Sequence, residues 1–240
     1  MWDVMSDRST TRDNRASLVE VAAQLLRDHG PAAVTTRAVA QTAGVQPPTI
    51  YRLFGDKDGL LDAVAEHVFA QYVAEKVVVQ DDGDPLSDLR VGWDLHIGFG
   101  LTNGALFGLL IDPSRHARSP AAAAGLDVLR SRVHRMAAAG RLRVPETRAV
   151  DLIQAAGNGA LLTLLTMPPE RRTLELADAM YDAVMGAILT DAPVATGGDA
   201  AVAAIAFRTV VPDLPALTEA ERAVMAEWLD RVSGAGSRSS

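Results

Sequence analysis

Between Thr35 and Leu61 the chain gathers Thr36, Arg37, Thr49, Tyr51, Arg52 and Lys57, which supply two guanidiniums, one ammonium and three hydroxyls. These are donors suited to phosphate oxygens and base edges. Residue types alone do not decide the matter, because exposed Arg and Lys are usually plain solvated surface. Other chemistry finds no support. The histidines at 29, 67, 96, 116 and 134 are scattered, none four residues from another, and the chain has no cysteine, so no metal site is expected. No serine sits in a nucleophile elbow and no glycine loop follows a strand. The carboxylates lie along solvent faces. Neither an enzyme nor a cofactor is indicated.

The elements around the donor-rich stretch give it meaning. Leu18, Val21, Ala22, Leu25 and Leu26 recur at helical spacing and Gly30-Pro31 stops that helix. Thr35 or Thr36 can cap the next helix, whose inner face is Val39, Ala40 and Ala43. Gly44 supplies a turn that calls for positive φ, and Val45 anchors it. Pro47-Pro48 opens a second short helix with Ile50 and Phe54 on its buried face. Gly55 ends it, and Asp56 caps a long helix running through Leu60, Leu61, Val64, Val68 and Tyr72. Two short helices joined by a tight turn are the layout of a helix-turn-helix that enters a DNA major groove.

At these residues the sequence closely resembles the TetR family of bacterial transcriptional repressors. The resemblance rests on Thr36, Val39, Ala40, Ala43-Gly44-Val45, Thr49-Ile50-Tyr51, Phe54, Lys57 and Leu60-Leu61, and covers roughly the first quarter of the chain. It implies that Thr36, Tyr51 and Lys57 contact phosphates. It also implies that Arg37, Pro47, Pro48, Thr49 and Arg52 face the groove, with Arg37 or Arg52 able to read guanine. Gln46, counted with them as a ninth residue expected at DNA, stands where the family often has a Ser cap, and Leu53 where a polar residue is common.

The net charge is −7, yet the first 60 residues balance seven basic against seven acidic residues, so the whole excess lies beyond the head. With 48% apolar residues, rich in Ala, Val and Leu, the rest reads as helices around a packed core. No apolar run suggests a membrane span and the N-terminal stretch is polar, so a cytoplasmic protein is expected. Helices are predicted from Pro85 past Gly100, through Phe107 to Leu110, from Pro120 to Gly140, from Pro145 to Met167, from Leu174 to Leu189 and over Ala200–Arg208. A capping box at Thr218–Glu221 opens a last helix with Trp228, Leu229 and Val232. Ala195–Asp199 reads as a flexible connector.

In this larger region His96 and Asn158 are polar groups set in apolar faces, each needing a partner. With Trp93, Phe99, Phe107 and Met136 they are expected to line a pocket for a small hydrophobic or aromatic effector. An aromatic stripe at this spacing is more often core than a ligand box. The small residues near Gly159 suggest a close subunit contact through Leu152, Ala156, Gly159, Ala160, Thr163, Leu176, Ala179, Ala183 and Ala187.

The reading is an all-α chain. Residues 1–11 form a disordered tail, 12–60 a three-helix DNA-binding head, 61–232 a helical ligand-binding and dimerisation domain, and 233–240 a second disordered tail. The family resemblance makes it a homodimeric, ligand-released repressor of a palindromic DNA operator. A helical carrier or enzyme-like domain with an inactive head is the alternative from another class. Within the class, the alternative is a regulator without an effector, its cavity filled by Trp93 and Phe99.

Overall fold

The computed structural model describes residues 3–30, 32–78, 84–190 and 200–236, and these are almost wholly helical. They divide into two compact units. The first takes in the chain to Glu75 together with Thr102–Ala124, and the second Lys76–Leu101 and the chain from Gly125.

In the first unit, α1 (Asp3–His29) buries Leu18, Val19, Ala22, Ala23 and Leu26 on one face. Its start at Asp3 places most of the expected N-terminal tail inside a helix. Thr35 caps α2 (Thr36–Thr42), its hydroxyl accepting the Ala38 amide at 3.0 Å, so Thr36 is left free to point elsewhere. Gly44, with φ +68°, turns the chain, a conformation that costs other residues about 1 kcal/mol or more. Behind the turn the Val45 amide bonds to the Ala40 carbonyl at 2.9 Å. In α3 (Pro47–Phe54) Ile50 is fully buried, while Gln46 makes no side-chain cap, as its type suggested. Asp56 caps α4 (Lys57–Val78) through the Gly59 amide at 2.8 Å.

The first unit extends past residue 60 because α4 is tied to later segments. Asp112 opens the first of these segments. It caps α7 (Pro113–His116), accepting the Ser114 and Arg115 amides at 2.9 and 3.1 Å. From α7, Arg115 pairs with Asp62. Glu66, one turn further along α4, accepts the Ser119 hydroxyl and the Ala121 amide at the start of α8 (Pro120–Ala138). Between them, α6 (Gly104–Leu110) buries Leu106, Phe107 and Leu110.

The second unit is built on α5 (Pro85–Thr102), the body of α8, α9 (Glu146–Thr166) and α10 (Glu175–Ile188). Glycines let helices approach α5 closely: Leu161 methyl carbons stand 2.5 and 2.6 Å from where a Gly100 Cβ would be. By length and composition alone α9 would suffice to cross a membrane, but Val150, Ile153, Ala156, Gly157, Ala160, Leu161 and Leu164 are buried within this unit. An antiparallel bridge, Leu142 to Leu189, joins the loop before α9 to the end of α10. A hairpin of α11 (Ala200–Val210) and α12 (Glu219–Gly236) closes the chain. The Thr218–Glu221 capping box is present, with Glu221 accepting the Thr218 amide at 2.8 Å and donating its own amide to the Thr218 hydroxyl at 3.3 Å. Trp228 and Val232 on α12 point outward, at 57% and 44% exposure. Residues 233–236 of the expected C-terminal tail belong to α12 instead, and its last four residues, like the expected connector at Ala195–Asp199, lie outside the described residues.

Candidate nucleic-acid interface and buried polar cluster

None of the nine residues expected at DNA is buried. Arg37, Gln46, Pro47, Pro48, Arg52 and Lys57 are exposed, and Thr36 and Thr49 are half-buried. Tyr51 is 53% exposed, which is unusual for so large a ring unless a partner covers it. The Thr36 and Tyr51 hydroxyls lie 3.4 Å apart, joining the first residue of α2 to the middle of α3. Thr36 can do this because Thr35 does the capping. Two hydroxyls so placed beside a helix N-terminus suit a phosphate oxygen. Sequence reasoning missed Arg15, whose guanidinium stacks over the Phe54 ring at 5.0 Å and braces the end of α3. On the flank of α1, Glu20 bonds to His67 at 2.8 Å and to Arg27 at 3.2 Å. The His67 bond, helped by Arg27, holds the Glu20 carboxyl below its ordinary range.

A family model described as bacterial regulatory proteins, tetR family, matches residues 18–64. The head is that of the TetR family. Over 61 residues the chain is 39% identical to the tetracycline repressor protein class D of Escherichia coli, a match covering 25% of this chain and 28% of that protein. The chain thus spans little more than a quarter of that relative's length, within which the TetR-family head falls. Solved structures extend the likeness of fold. A transcriptional regulator of the TetR/AcrR family from Thermobifida fusca superposes with a TM-score of 0.59 at 20% identity, covering 72% of this chain and 97% of that one. A TetR-family transcriptional regulator from Pectobacterium atrosepticum does so with a TM-score of 0.58 at 17% identity, over 75% and 92%.

Beyond the TetR-family head, the second unit brings three of the expected ligand residues together. His96 and Asn158 bond to each other at 3.2 Å. The amide oxygen can only accept, so the imidazole Nε2 carries the proton. Burial, with Lys76 nearby, pushes the His96 pKa down to about 3, so the ring is neutral. The polar groups that seemed to need a ligand therefore satisfy one another in part. Gly157 makes this possible: a Cβ there would stand 3.2 Å from the His96 ring and 3.4 Å from Trp93. Trp93 is 3% exposed and meets Tyr181 edge-on at 5.5 Å, while its indole N–H has no partner. Met136 is buried and Phe99 half-buried in the same unit. Phe107 belongs to the first unit and is buried there, so it falls outside this group.

A second polar cluster escaped sequence reasoning. Arg132, from α8, sits with a side chain 2% exposed and bonds through Nε to the fully buried Asp88 at 3.1 Å and through Nη2 to the Lys76 carbonyl at 3.1 Å. Arg135 reaches the same carboxylate. Burial, helped by Arg132, pushes the Lys76 amine down to about 7. Gly92 leaves room for the Arg132 guanidinium.

The expected subunit contact needs correction at two positions. Ala156 and Ala160 are 7% and 2% exposed in the single chain because they face its own core. Gly159, Thr163, Ala179, Ala183 and Ala187 do face outward, and Leu152 and Leu176 are half-buried. Ala155 and Leu162, the latter 42% exposed, share the outer stripe of α9 with Gly159.

Proposed function

We propose that the chain is a sequence-specific DNA-binding transcriptional regulator, a homodimer that represses from a palindromic operator and is released by a small apolar effector. The observation that carries this reading is the exposed donor face of α2 and α3, with Tyr51 standing out beside Thr36. Arg37 and Arg52 supply base readers, and Thr36, Tyr51 and Lys57 supply phosphate contacts. Repression is supported by the printed name of the tetracycline repressor whose head is similar. The outer faces of α9 and α10, lined by Ala155, Gly159, Ala179, Ala183 and Ala187, form a four-helix bundle with a second copy. That dimer sets two α3 helices about 34–36 Å apart, one per successive major groove. The effector acts through the region around Trp93, His96 and Asn158, with α4, which carries residues of both units, passing the change to the head. It works only by binding one state better than the other. A gel-shift with the DNA upstream of the chain's own coding sequence tests the core of this reading. Binding with no preference over scrambled DNA would overturn it and favour a helical carrier.

A second reading has its own observation. The close contacts at Gly100 and Gly157, and the His96–Asn158 bond, favour a regulator whose effector region is filled by its own side chains.

A further inference from the structure

A cleft of about 300 Å³ opens within the first unit, where α1, α4, α6, α7 and the start of α8 meet. Arg15, Arg115 and Arg118 line it, along with Asp62, Glu66 and Ser119. Both carboxylates are already engaged. Asp62 pairs with Arg115, and Glu66 is taken up by the Ser119 hydroxyl and the Ala121 amide. The start of α8 is therefore no longer open to an incoming anion. Arg15 and Arg118 remain. Among the described residues neither makes an ion pair within 4.0 Å. Arg15 has its guanidinium carbon 5.0 Å from the Phe54 ring centroid, a contact that uses the face of the group and not its N–H donors. Asp112 lies near enough to Arg118 to feel its charge, but three guanidiniums against the two engaged carboxylates of the lining still raise the local potential for an anion. A guanidinium fork matches the paired oxygens of phosphate and carboxylate.

We infer that this cleft binds a small molecule bearing a phosphate or carboxylate group, held by Arg15 and Arg118 with Arg115 behind them. Its volume lies at the small end of the range for ligand sites, which suits a compact metabolite. The site is separate from the apolar region around His96, which belongs to the other unit. It is also distinct from the DNA face, because the groove-facing residues sit on α2 and α3 and none of them lines the cleft. An anion here competes with Asp62 for Arg115, so occupancy loosens the tie between α4 and α7.

The test is calorimetric titration of the full chain with inorganic phosphate, glycerol phosphate and succinate, at an ionic strength held constant with chloride. Saturable binding of one ion per chain is expected, weakened about tenfold or more by Arg118→Gln, the loss expected for a charge-assisted bond. Arg15→Gln should act in the same direction, with helix content unchanged in both. Preference among the three probes decides between phosphate and carboxylate. Absence of saturation with every probe would overturn the inference, as would equal affinity in both variants. So would an Arg118→Gln protein that loses operator affinity but keeps phosphate affinity, since the cleft would then hold the DNA backbone.

Discussion

Gly92 and Gly98 lie on the same helix, two turns apart at most, and the structure predicts opposite outcomes for the same substitution. A Cβ at Gly92 would stand 2.2 Å from the Arg132 Nη1 and 2.9 Å from its Cζ. The guanidinium must withdraw, and Asp88 loses its most deeply buried partner. Breaking a buried ion pair from one side costs about 3 kcal/mol at the lower end of the usual range. That end applies because Arg135 still reaches Asp88. Exchanging glycine for alanine in a helix interior returns about 1 kcal/mol. Gly92→Ala should therefore lose about 2 kcal/mol. Gly98 is exposed and nothing lies within 4 Å of its added Cβ. Gly98→Ala should keep the whole helical gain, up to about 1 kcal/mol. Urea unfolding of the two variants beside the parent, followed by circular dichroism, measures both. A Gly92→Ala protein as stable as Gly98→Ala would refute the reasoning, because it would mean Arg132 does not depend on the space at Gly92.

Further outcomes follow from the same geometry. Arg37→Ala should weaken operator binding by roughly 1–3 kcal/mol and relax preference at one position of each half-site, read by gel-shift against single-base operator variants. Lys57→Ala should weaken binding to all sequences alike, and the slope of log K against log salt should fall by about 0.9 per lost phosphate contact. Ala183→Glu places a charge on the outer face of α10 and should give a folded monomer in sedimentation, whereas an intact dimer would move the contact elsewhere. His96 titrates near 3 when folded against an ordinary 6.5, so the unfolded chain binds the extra proton between those values. Stability from this group is intact above pH 6.5 and falls as pH drops toward 3, by at most about 1.4 kcal/mol per pH unit. His96→Gln should flatten that part of the stability profile in thermal melts at stepped pH.

The head was readable because its signals are local. Thr35, Gly44, Pro47, Gly55 and Asp56 each act within four residues of themselves, and the apolar spacing between them is regular. The choice between Thr35 and Thr36 as cap turned on backbone geometry that both types satisfy equally. Residues 3–11 are polar and without apolar period, which is why a helix there was not foreseen. On α9 the error was one of rotation. Ala155 and Ala156 are the same type on a helix apolar nearly all round, so which of them faces outward depends on what the other helices cover. Asp88 and Arg132 are 44 positions apart, and no local pattern announces that a charge will be buried against another so distant. The cleft residues Arg15, Asp62, Glu66 and Arg118 likewise come together only through tertiary packing.

Glu66 closes the first turn of α8 from a helix that begins at the DNA head. Regulators of this architecture are natural candidates for recombination, in which one head is exchanged for another to redirect the target gene. Here the seam for such an exchange runs between Gly59 and Leu61, ahead of Asp62 and Glu66, which must stay with their partners. A foreign head joined there keeps the partners Ser119 and Arg115 but must itself supply nothing, provided Asp62 and Glu66 travel with the recipient. If the junction falls after Glu66 instead, the donor must bring carboxylates at both positions or leave α8 frayed. Transplantability in this chain is thus governed by two acidic residues that lie outside the groove-facing helices α2 and α3.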